Sequence, residues 1–181
     1  ASAEGARVTD VDGVTRLDFI NNYSSLIHGH CHPLVTEAIQ RQAARLTAIS
    51  LSTESEIELA EIICERMPSV EQVRFANSGT EGVMMAIKTA RAYTGRRLIA
   101  KIEGAYHGGD DTAAVSTYPH PTKLAEPEAG LGIPEAGTGP GAAADVIVLQ
   151  MNDVEGGRKL LRAHGAELAV VDLEVAELEH R

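Results

Sequence analysis

The feature that most constrains the fold is a series of short apolar runs that alternate with amphipathic helical patterns. Three runs are largely apolar: Leu98–Ile102, Val146–Leu149 and Leu168–Val171. Helical spacing of apolar residues appears at Gly79–Tyr93, before the first run, and at Val154–His164, between the second and the third. Strands have this composition when helices cover both faces of a parallel sheet. The sequence therefore predicts an α/β fold with a mostly parallel sheet flanked by helices.

The amino-terminal part has a different pattern. Residues 7–20 alternate apolar and polar side chains around an Asp-Gly pair, which predicts a β-hairpin. A helical face begins at Pro33, where proline suits the first helical position. A second helix is predicted over residues 55–67, with Thr53 as its N-cap and Glu56 completing a capping box.

These patterns divide the chain near residue 50. Residues 1–50 form an amino-terminal segment of hairpin, turn and first helix, and residues 51–181 form a partial α/β domain. Within the second part, Glu71–Ala76 is predicted to be a strand. The proline- and glycine-rich residues 117–143 are predicted to form a long surface loop, and residues 173–181 a short polar helix.

Composition excludes several classes of partner. The chain has 26 acidic and 16 basic side chains, so its net charge is −10. Such a chain repels nucleic acids and anionic membrane surfaces. No run is long enough to span a bilayer, the first residues lack the apolar core of a signal peptide, and two cysteines show no disulfide spacing. We therefore expect a cytoplasmic protein with reduced thiols and no nucleic-acid or membrane partner.

The sharpest local signal is the turn Asn77-Ser78-Gly79-Thr80, which joins a predicted strand to a predicted helix. A helix N-terminus presents unpaired backbone N–H groups and the positive end of the helix dipole, so it can bind phosphate. Gly79 would let an anion approach the backbone, and the hydroxyls of Ser78 and Thr80 would add donors. Simple capping of the helix by either hydroxyl is an open alternative.

Tyr106 and His107 follow the predicted strand Leu98–Ile102. Because ligands of such sheets bind at the carboxyl ends of the strands, both side chains are expected on the edge that holds the Ser78–Thr80 turn. A ring and an imidazole beside a phosphate site would suit a flat, charged heterocycle. The alternative, in which they are ordinary turn residues, stays open on this pattern alone.

Four segments in order carry a family resemblance. They are VTDVDGVTRLDF, GHCHP, NSGTE and KIEGAYHG, within a likeness that runs from Arg7 to Val171. Together they resemble the first half of the class III pyridoxal-phosphate-dependent aminotransferases, and especially glutamate-1-semialdehyde 2,1-aminomutase and its aminotransferase relatives. The resemblance implies an incomplete PLP-dependent transferase fold of the aspartate aminotransferase-like type, fold type I.

The resemblance also implies roles for individual residues. Pyridoxal 5′-phosphate would be the cofactor, with its phosphate held by Ser78, Gly79 and Thr80. Tyr106 would stack on the pyridine ring, and His107 would lie beside it.

The resemblance places Tyr23 and Ser24 in the part of the chain that borders the substrate pocket. Members of this family are typically homodimers that act on small-molecule amino donors and acceptors. The same assembly and substrate class are therefore implied for this chain.

Two catalytic groups of the family have no match in this chain. The lysine that forms the Schiff base and the aspartate that pairs with the pyridine nitrogen would lie beyond Arg181. None of the four lysines, Lys88, Lys101, Lys123 and Lys159, stands where the family has the catalytic one. We therefore expect an incomplete and inactive enzyme that binds the cofactor weakly and without a covalent link. The alternative is a noncatalytic remnant that holds the cofactor or supports dimerisation.

A metal site is a further alternative, because IHGHCHP, residues 27–33, brings three histidines and a cysteine together. Zinc would need at least one further ligand from elsewhere in the chain. A turn that feeds the helix beginning at Pro33 is the favoured interpretation, and we predict no metal.

Overall fold

The computed structural model describes residues 1–118, 130–139 and 141–172, apart from the side chain of Asp172. The predicted helix at 173–181 and most of the proline-rich half of the loop at 117–143 lie outside these ranges. The chain divides into two compact units, Ala1–Val73 and Arg74–Arg181. The sequence-based boundary near residue 50 stays a prediction.

The first unit begins with a three-stranded antiparallel sheet in the order β1-β2-β3. Its strands are β1 (Ser2–Glu4), β2 (Arg7–Thr9) and β3 (Thr15–Leu17). The predicted hairpin is confirmed as β2 and β3. Its turn is fixed by Asp10, whose carboxylate accepts hydrogen bonds from backbone N–H groups on the far side of the turn and forms an ion pair with Arg16.

Three helical elements follow: α1 (Asn21–Ser24), α2 (Pro33–Ala43) and α3 (Glu54–Arg66). Both predicted helices are confirmed as α2 and α3. The capping box is present, because Thr53 accepts from the Glu56 N–H at 3.3 Å while the Glu56 carboxylate accepts from the Thr53 N–H at 2.8 Å. The third element, α1, is a single turn whose four residues all have positive φ.

The predicted strand at Glu71–Ala76 is wrong, since no residue of this segment has strand structure. A strand requires a neighbour that accepts and donates backbone hydrogen bonds. The described sheets offer none to this segment, and most of its side chains are exposed.

The second unit contains a parallel sheet with helices on both faces. It comprises α4 (Gly79–Thr94), β4 (Leu98–Ile102), β5 (Val146–Leu149), α5 (Val154–His164) and β6 (Leu168–Asp172). Strand β4 is central and pairs in parallel with both β5 and β6. The sequence-based prediction of an incomplete parallel α/β sheet is confirmed.

Alternate residues of the strands build a core on each face of this sheet. On the face that α4 covers, Ile87 packs with Ile99 and Val148. On the other face, Leu160 of α5 packs with Ala100 and Ile147. The two-sided burial explains why the strands are largely apolar instead of alternating between apolar and polar residues.

The described parts of the loop at 117–143 do not all lie on the surface. Thr117 and Gly130 are buried, and Leu131 forms an isolated antiparallel bridge with Ile147 of β5. A short 3₁₀ helix, Ala142–Asp145, leads into β5. Within the described ranges, no helix combines the length and apolarity needed to cross a membrane.

Candidate functional site

The first turn of α4 is fixed by side chains of its own sequence. Ser78 is the N-cap, and its Oγ accepts a hydrogen bond from the Glu81 N–H at 3.2 Å. The Glu81 carboxylate reaches back and accepts from the Asn77 N–H at 2.7 Å. The capping role that the sequence left open for Ser78 is therefore present. It leaves the Ser78 hydroxyl hydrogen available as a donor, because the cap uses only a lone pair.

The backbone at the start of α4 has the features of an anion site. Within the described part of the chain, no acceptor bonds the N–H groups of Gly79 or Thr80. A Cβ added at Gly79 would meet no atom within 4 Å, so the space beside this residue is open. Unpaired N–H groups at the positive end of a 16-residue helix attract an anion.

The loop after β4 lies directly against this turn. The Gly109 N–H donates to Thr80 Oγ1 at 3.3 Å. Gly108 has a φ of +97°, and a Cβ at that position would lie 2.6 Å from Thr80 Oγ1 and 2.7 Å from Thr80 Cα. Only glycine permits both this backbone conformation and this approach. The loop that carries Tyr106 and His107 is thus brought to the helix start, as the sequence predicts.

The two aromatic residues of the loop differ in exposure. His107 is buried, whereas Tyr106 is 44% exposed. Its ring lies near that of Tyr118, with 6.4 Å between the ring centroids and 31° between the ring planes. Tyr106 can therefore offer ring surface to a ligand, while His107 is enclosed by protein.

Two acidic side chains near the site each have their own partner. Glu81 is bonded to the Asn77 N–H, and the buried Glu103 accepts from Gln150 Nε2 at 3.0 Å. The described hydrogen bonds do not link the two carboxylates to each other. Their bonds hold the helix start and the ends of β4 and β5 instead.

Lys101 is the most unusual side chain of the sheet, because it is fully buried within β4. Its Nζ donates to the carbonyl oxygens of Ala113 at 2.8 Å and Val115 at 2.7 Å, and to Thr117 Oγ1 at 3.3 Å. A buried ammonium group is costly unless such acceptors surround it. The Lys101 side chain thereby holds the irregular segment 113–117, which follows the loop of Tyr106 and His107, against β4.

The other two lysines that the structure describes show no comparable environment. Lys88 and Lys159 lie on exposed helix positions, as predicted, and Lys123 lies outside the described residues. In the described chain, neither exposed lysine has the desolvated pocket that a Schiff-base lysine requires.

Tyr23 and Ser24 lie in the first unit, within the left-handed turn α1. Their φ values are +55° and +65°, and the Tyr23 side chain is 91% exposed. The turn is held by Asp18, whose Oδ1 accepts from the N–H groups of Ile20 and Asn21 at 2.9 Å.

The carboxylate of Asp18 also contacts His30 of the GHCHP segment, with 2.7 Å between Oδ2 and Nε2. The hydrogen bond from His30 is the largest cause that lowers the pKa of Asp18, followed by those from the two backbone N–H groups of the turn. An ionised Asp18 is thus part of what maintains α1.

The histidine-rich segment is a turn, as the favoured interpretation predicts. Gly29 has a φ of +79° and packs against the backbone of Gly5, and His32 is the N-cap residue of α2. Among the residues that the structure describes, no cluster of three or more potential ligands could hold a metal ion.

Sequence reasoning missed two features of this region. The cage of oxygen atoms around Lys101 comes from residues in an irregular segment without periodicity, so no pattern points to it. Tyr118 stands at the start of the predicted surface loop, and only its aromatic character distinguished it there. Both depend on how distant segments fold together.

A model of the aminotransferase class-III family matches residues 1–135. Over 172 residues the chain is 44% identical to a glutamate-1-semialdehyde 2,1-aminomutase of Chloroflexus aurantiacus, covering 94% of this chain and 37% of that protein.

Solved structures give the same result. An omega-transaminase from Sphaerobacter thermophilus is 48% identical, with a TM-score of 0.83 over 94% of this chain and 39% of its own. A structure described as a transaminase with PLP bound is 46% identical, with a TM-score of 0.82 and the same coverage. The chain thus spans less than two fifths of the length of these relatives. Over that length the sheet and helices have the architecture of fold type I PLP-dependent transaminases, and the chain belongs to the aminotransferase class-III family.

Proposed function

We propose that this chain binds pyridoxal 5′-phosphate at the start of α4 and serves amino-group transfer of the aminotransferase or glutamate-1-semialdehyde aminomutase type. The family and the PLP-bound neighbour imply this cofactor. The observation that carries the proposal is the open first turn of a long helix. Two of its N–H groups have no acceptor among the described residues, and the loop of Tyr106 packs against it.

The phosphate fits this turn on chemical grounds. The N–H groups of Gly79 and Thr80 would donate to the phosphate, and so would the hydroxyl hydrogens of Ser78 and Thr80, which their present bonds leave unused. Glu81 is an unfavourable charge for an anion, but its carboxylate is bonded to the Asn77 N–H. The anion is therefore held mainly by backbone donors and the helix dipole.

The ring of the cofactor is assigned to the side of the turn where the loop after β4 lies. Tyr106 supplies an exposed aromatic face, and the buried His107 is proposed to lie beside the ring, as the family resemblance implies. Tyr23 and Ser24 are proposed to contact the amino substrate, as the family resemblance implies.

When bound, the cofactor supplies an electron sink for bonds at the substrate's α-carbon. The residues of this chain bind and orient it, and none of the three lysines that the structure describes supplies the covalent link. Lys101 is engaged by buried oxygen atoms, and Lys88 and Lys159 are exposed. The 181-residue chain alone is therefore expected not to transaminate.

The binding proposal is tested with pyridoxamine 5′-phosphate, which has no aldehyde and cannot form an imine with surface lysines. Its affinity is measured by equilibrium dialysis against the chain and two N-cap variants, Ser78→Ala and Thr53→Ala. Both lose a helix cap, but only Ser78 lies at the proposed phosphate site. We expect the first variant to bind about tenfold more weakly, because it loses one hydrogen bond to a charged group, and the second to bind like the parent chain. Equal affinities in all three proteins would show that Ser78 does not contact the ligand, and a parent chain that binds no pyridoxamine 5′-phosphate would refute the site.

A second candidate, a noncatalytic module that holds the cofactor or supports a homodimer, is favoured by the environment of the lysines. Borohydride reduction of the chain with pyridoxal phosphate, followed by peptide mapping, separates the two. Stoichiometric labelling of one lysine together with turnover of an amino donor would exclude the noncatalytic candidate. Scattered partial labelling without turnover would favour it. Homodimer formation and a cytoplasmic location are further proposals, and ultracentrifugation of the purified chain tests the first.

A further inference from the structure

Two tyrosine rings lie side by side in the segments that follow β4. Tyr106 and Tyr118 have ring centroids 6.4 Å apart, and their side chains are 44% and 74% exposed. Both residues are open to solvent, so both rings are available for contact with a ligand. The function proposed above uses only Tyr106, so Tyr118 has no assigned role.

Backbone hydrogen bonds hold the two segments that carry these tyrosines next to each other. The Gly104 N–H donates to the Ser116 carbonyl at 2.8 Å, and each of these residues precedes one of the tyrosines by two positions. Ser116 has a φ of +55° and is also bonded through its own N–H to the Ile133 carbonyl at 2.7 Å.

The buried ammonium group of Lys101 adds a second restraint on the same segment. It donates to Ala113, Val115 and Thr117, and the last of these is the neighbour of Tyr118 in the chain. The proximity of the two rings is therefore set by hydrogen bonds at both of their backbones. It does not depend on contact between two exposed side chains alone.

The position of the pair links it to the anion site. Tyr106 lies two residues before Gly108, which packs against Thr80. The N–H of Gly109 donates to the Thr80 hydroxyl. A phosphorylated heteroaromatic compound bound by the turn would have its ring within reach of this loop. Aromatic rings attract one another in offset or edge-to-face geometry at centroid distances of about 4.5–7 Å.

We propose that Tyr118 is a second aromatic contact for the pyridine ring of the bound cofactor, beside Tyr106. This inference rests on the proposed function, because it takes the phosphate to be held at Ser78–Thr80. The contribution of Tyr118 is a ring contact, so phenylalanine retains it and alanine removes it.

The test compares pyridoxamine 5′-phosphate with inorganic phosphate as ligands of the same proteins. Affinities are measured by equilibrium dialysis for the parent chain and for Tyr118→Ala, Tyr118→Phe and Tyr93→Ala. Tyr93 is a matched control, because it is also highly exposed but lies fourteen positions along α4 from Gly79, about 20 Å away. Circular dichroism and urea midpoints establish that each variant is folded.

We expect Tyr118→Ala to weaken binding of pyridoxamine phosphate about three- to tenfold and to leave inorganic phosphate unaffected. The Tyr118→Phe and Tyr93→Ala variants should bind within twofold of the parent chain. If Tyr118→Ala binds pyridoxamine phosphate normally, or weakens both ligands equally, the inference is overturned while the proposed function stands. If the parent chain binds no pyridoxamine phosphate, the proposed function and the inference fail together.

Discussion

The two units of the chain have similar local signals but very different burial. The unit Ala1–Val73 has a hairpin, two amphipathic helices and a complete capping box, yet none of its residues is buried. Every buried residue of the described chain belongs to the unit Arg74–Arg181, where three parallel strands separate two apolar clusters. Helix caps and turns thus form from neighbouring residues, whereas a core requires segments from distant parts of the chain.

The largest expected contrast comes from removing apolar side chains of the same kind in each unit. Ile99→Ala leaves a cavity in the apolar core beside β4 and should lower the free energy of unfolding by ~2–5 kcal/mol. Ile39→Ala, on the exposed side of α2, should change it by less than about 0.5 kcal/mol. Urea unfolding followed by circular dichroism measures both. A comparable loss in Ile39→Ala would show that the first unit has a core in solution that the structure lacks.

A smaller effect is expected from the buried cation. Lys101→Met keeps the length of the side chain but leaves the carbonyl oxygens of Ala113 and Val115 buried without this donor, which should cost ~1–3 kcal/mol. Lys88→Met, at an exposed position of α4, is the matched control and should be nearly neutral. Equal urea midpoints for the two variants would contradict the structural role of Lys101.

Ile99 and Lys101 also show how much of the core can be predicted from the sequence. Ile99 could be predicted to be buried, because it lies in a short apolar run between helical patterns. The partners of Lys101 could not, since they stand 12 to 16 positions away in a segment without periodicity. The failure at Glu71–Ala76 has the same cause, because strand structure depends on a neighbour and not on composition alone.

At the candidate site, the sequence predicted those residues that belong to a recognisable local structure. Ser78, Gly79 and Thr80 were found because a turn before a helix has a recognisable composition. Tyr118 was not, because its proximity to Tyr106 depends on the hydrogen bond between Gly104 and Ser116.

The capping box of α3 tests whether local signals stabilise the first unit without a core. Thr53→Ala removes the acceptor for the Glu56 N–H and should cost about 1 kcal/mol of helix stability. Thr53→Ser keeps the hydroxyl and serves as the control. Amide hydrogen exchange in residues 54–66 should rise about fivefold in the alanine variant only. An unchanged exchange rate would mean that α3 is held by other contacts.

The smallest expected effect concerns pH. Because the pKa of Asp18 is lowered in the folded chain, chiefly by the hydrogen bond from His30, its ionised form stabilises the turn above the ordinary carboxyl pKa. This contribution is lost as the pH falls through the lowered pKa, when the carboxylate becomes protonated.

Nuclear magnetic resonance of the α1 amides should therefore show loss of the left-handed turn in the acid range, while amides of β4 and β5 keep their positions. In Asp18→Asn the turn should be weakened already at neutral pH and show no further acid transition. A transition of the same midpoint in that variant would assign it to another group.

The contact between Gly108 and Thr80 has a consequence for protein engineering. A Cβ at position 108 would overlap the Thr80 backbone, so no change of side chain at position 80 can make room for it. A library that randomises positions 80 and 108 together should therefore yield soluble members with many residues at 80 but with glycine alone at 108. Position 80 on the helix therefore tolerates substitution, whereas position 108 in the loop does not.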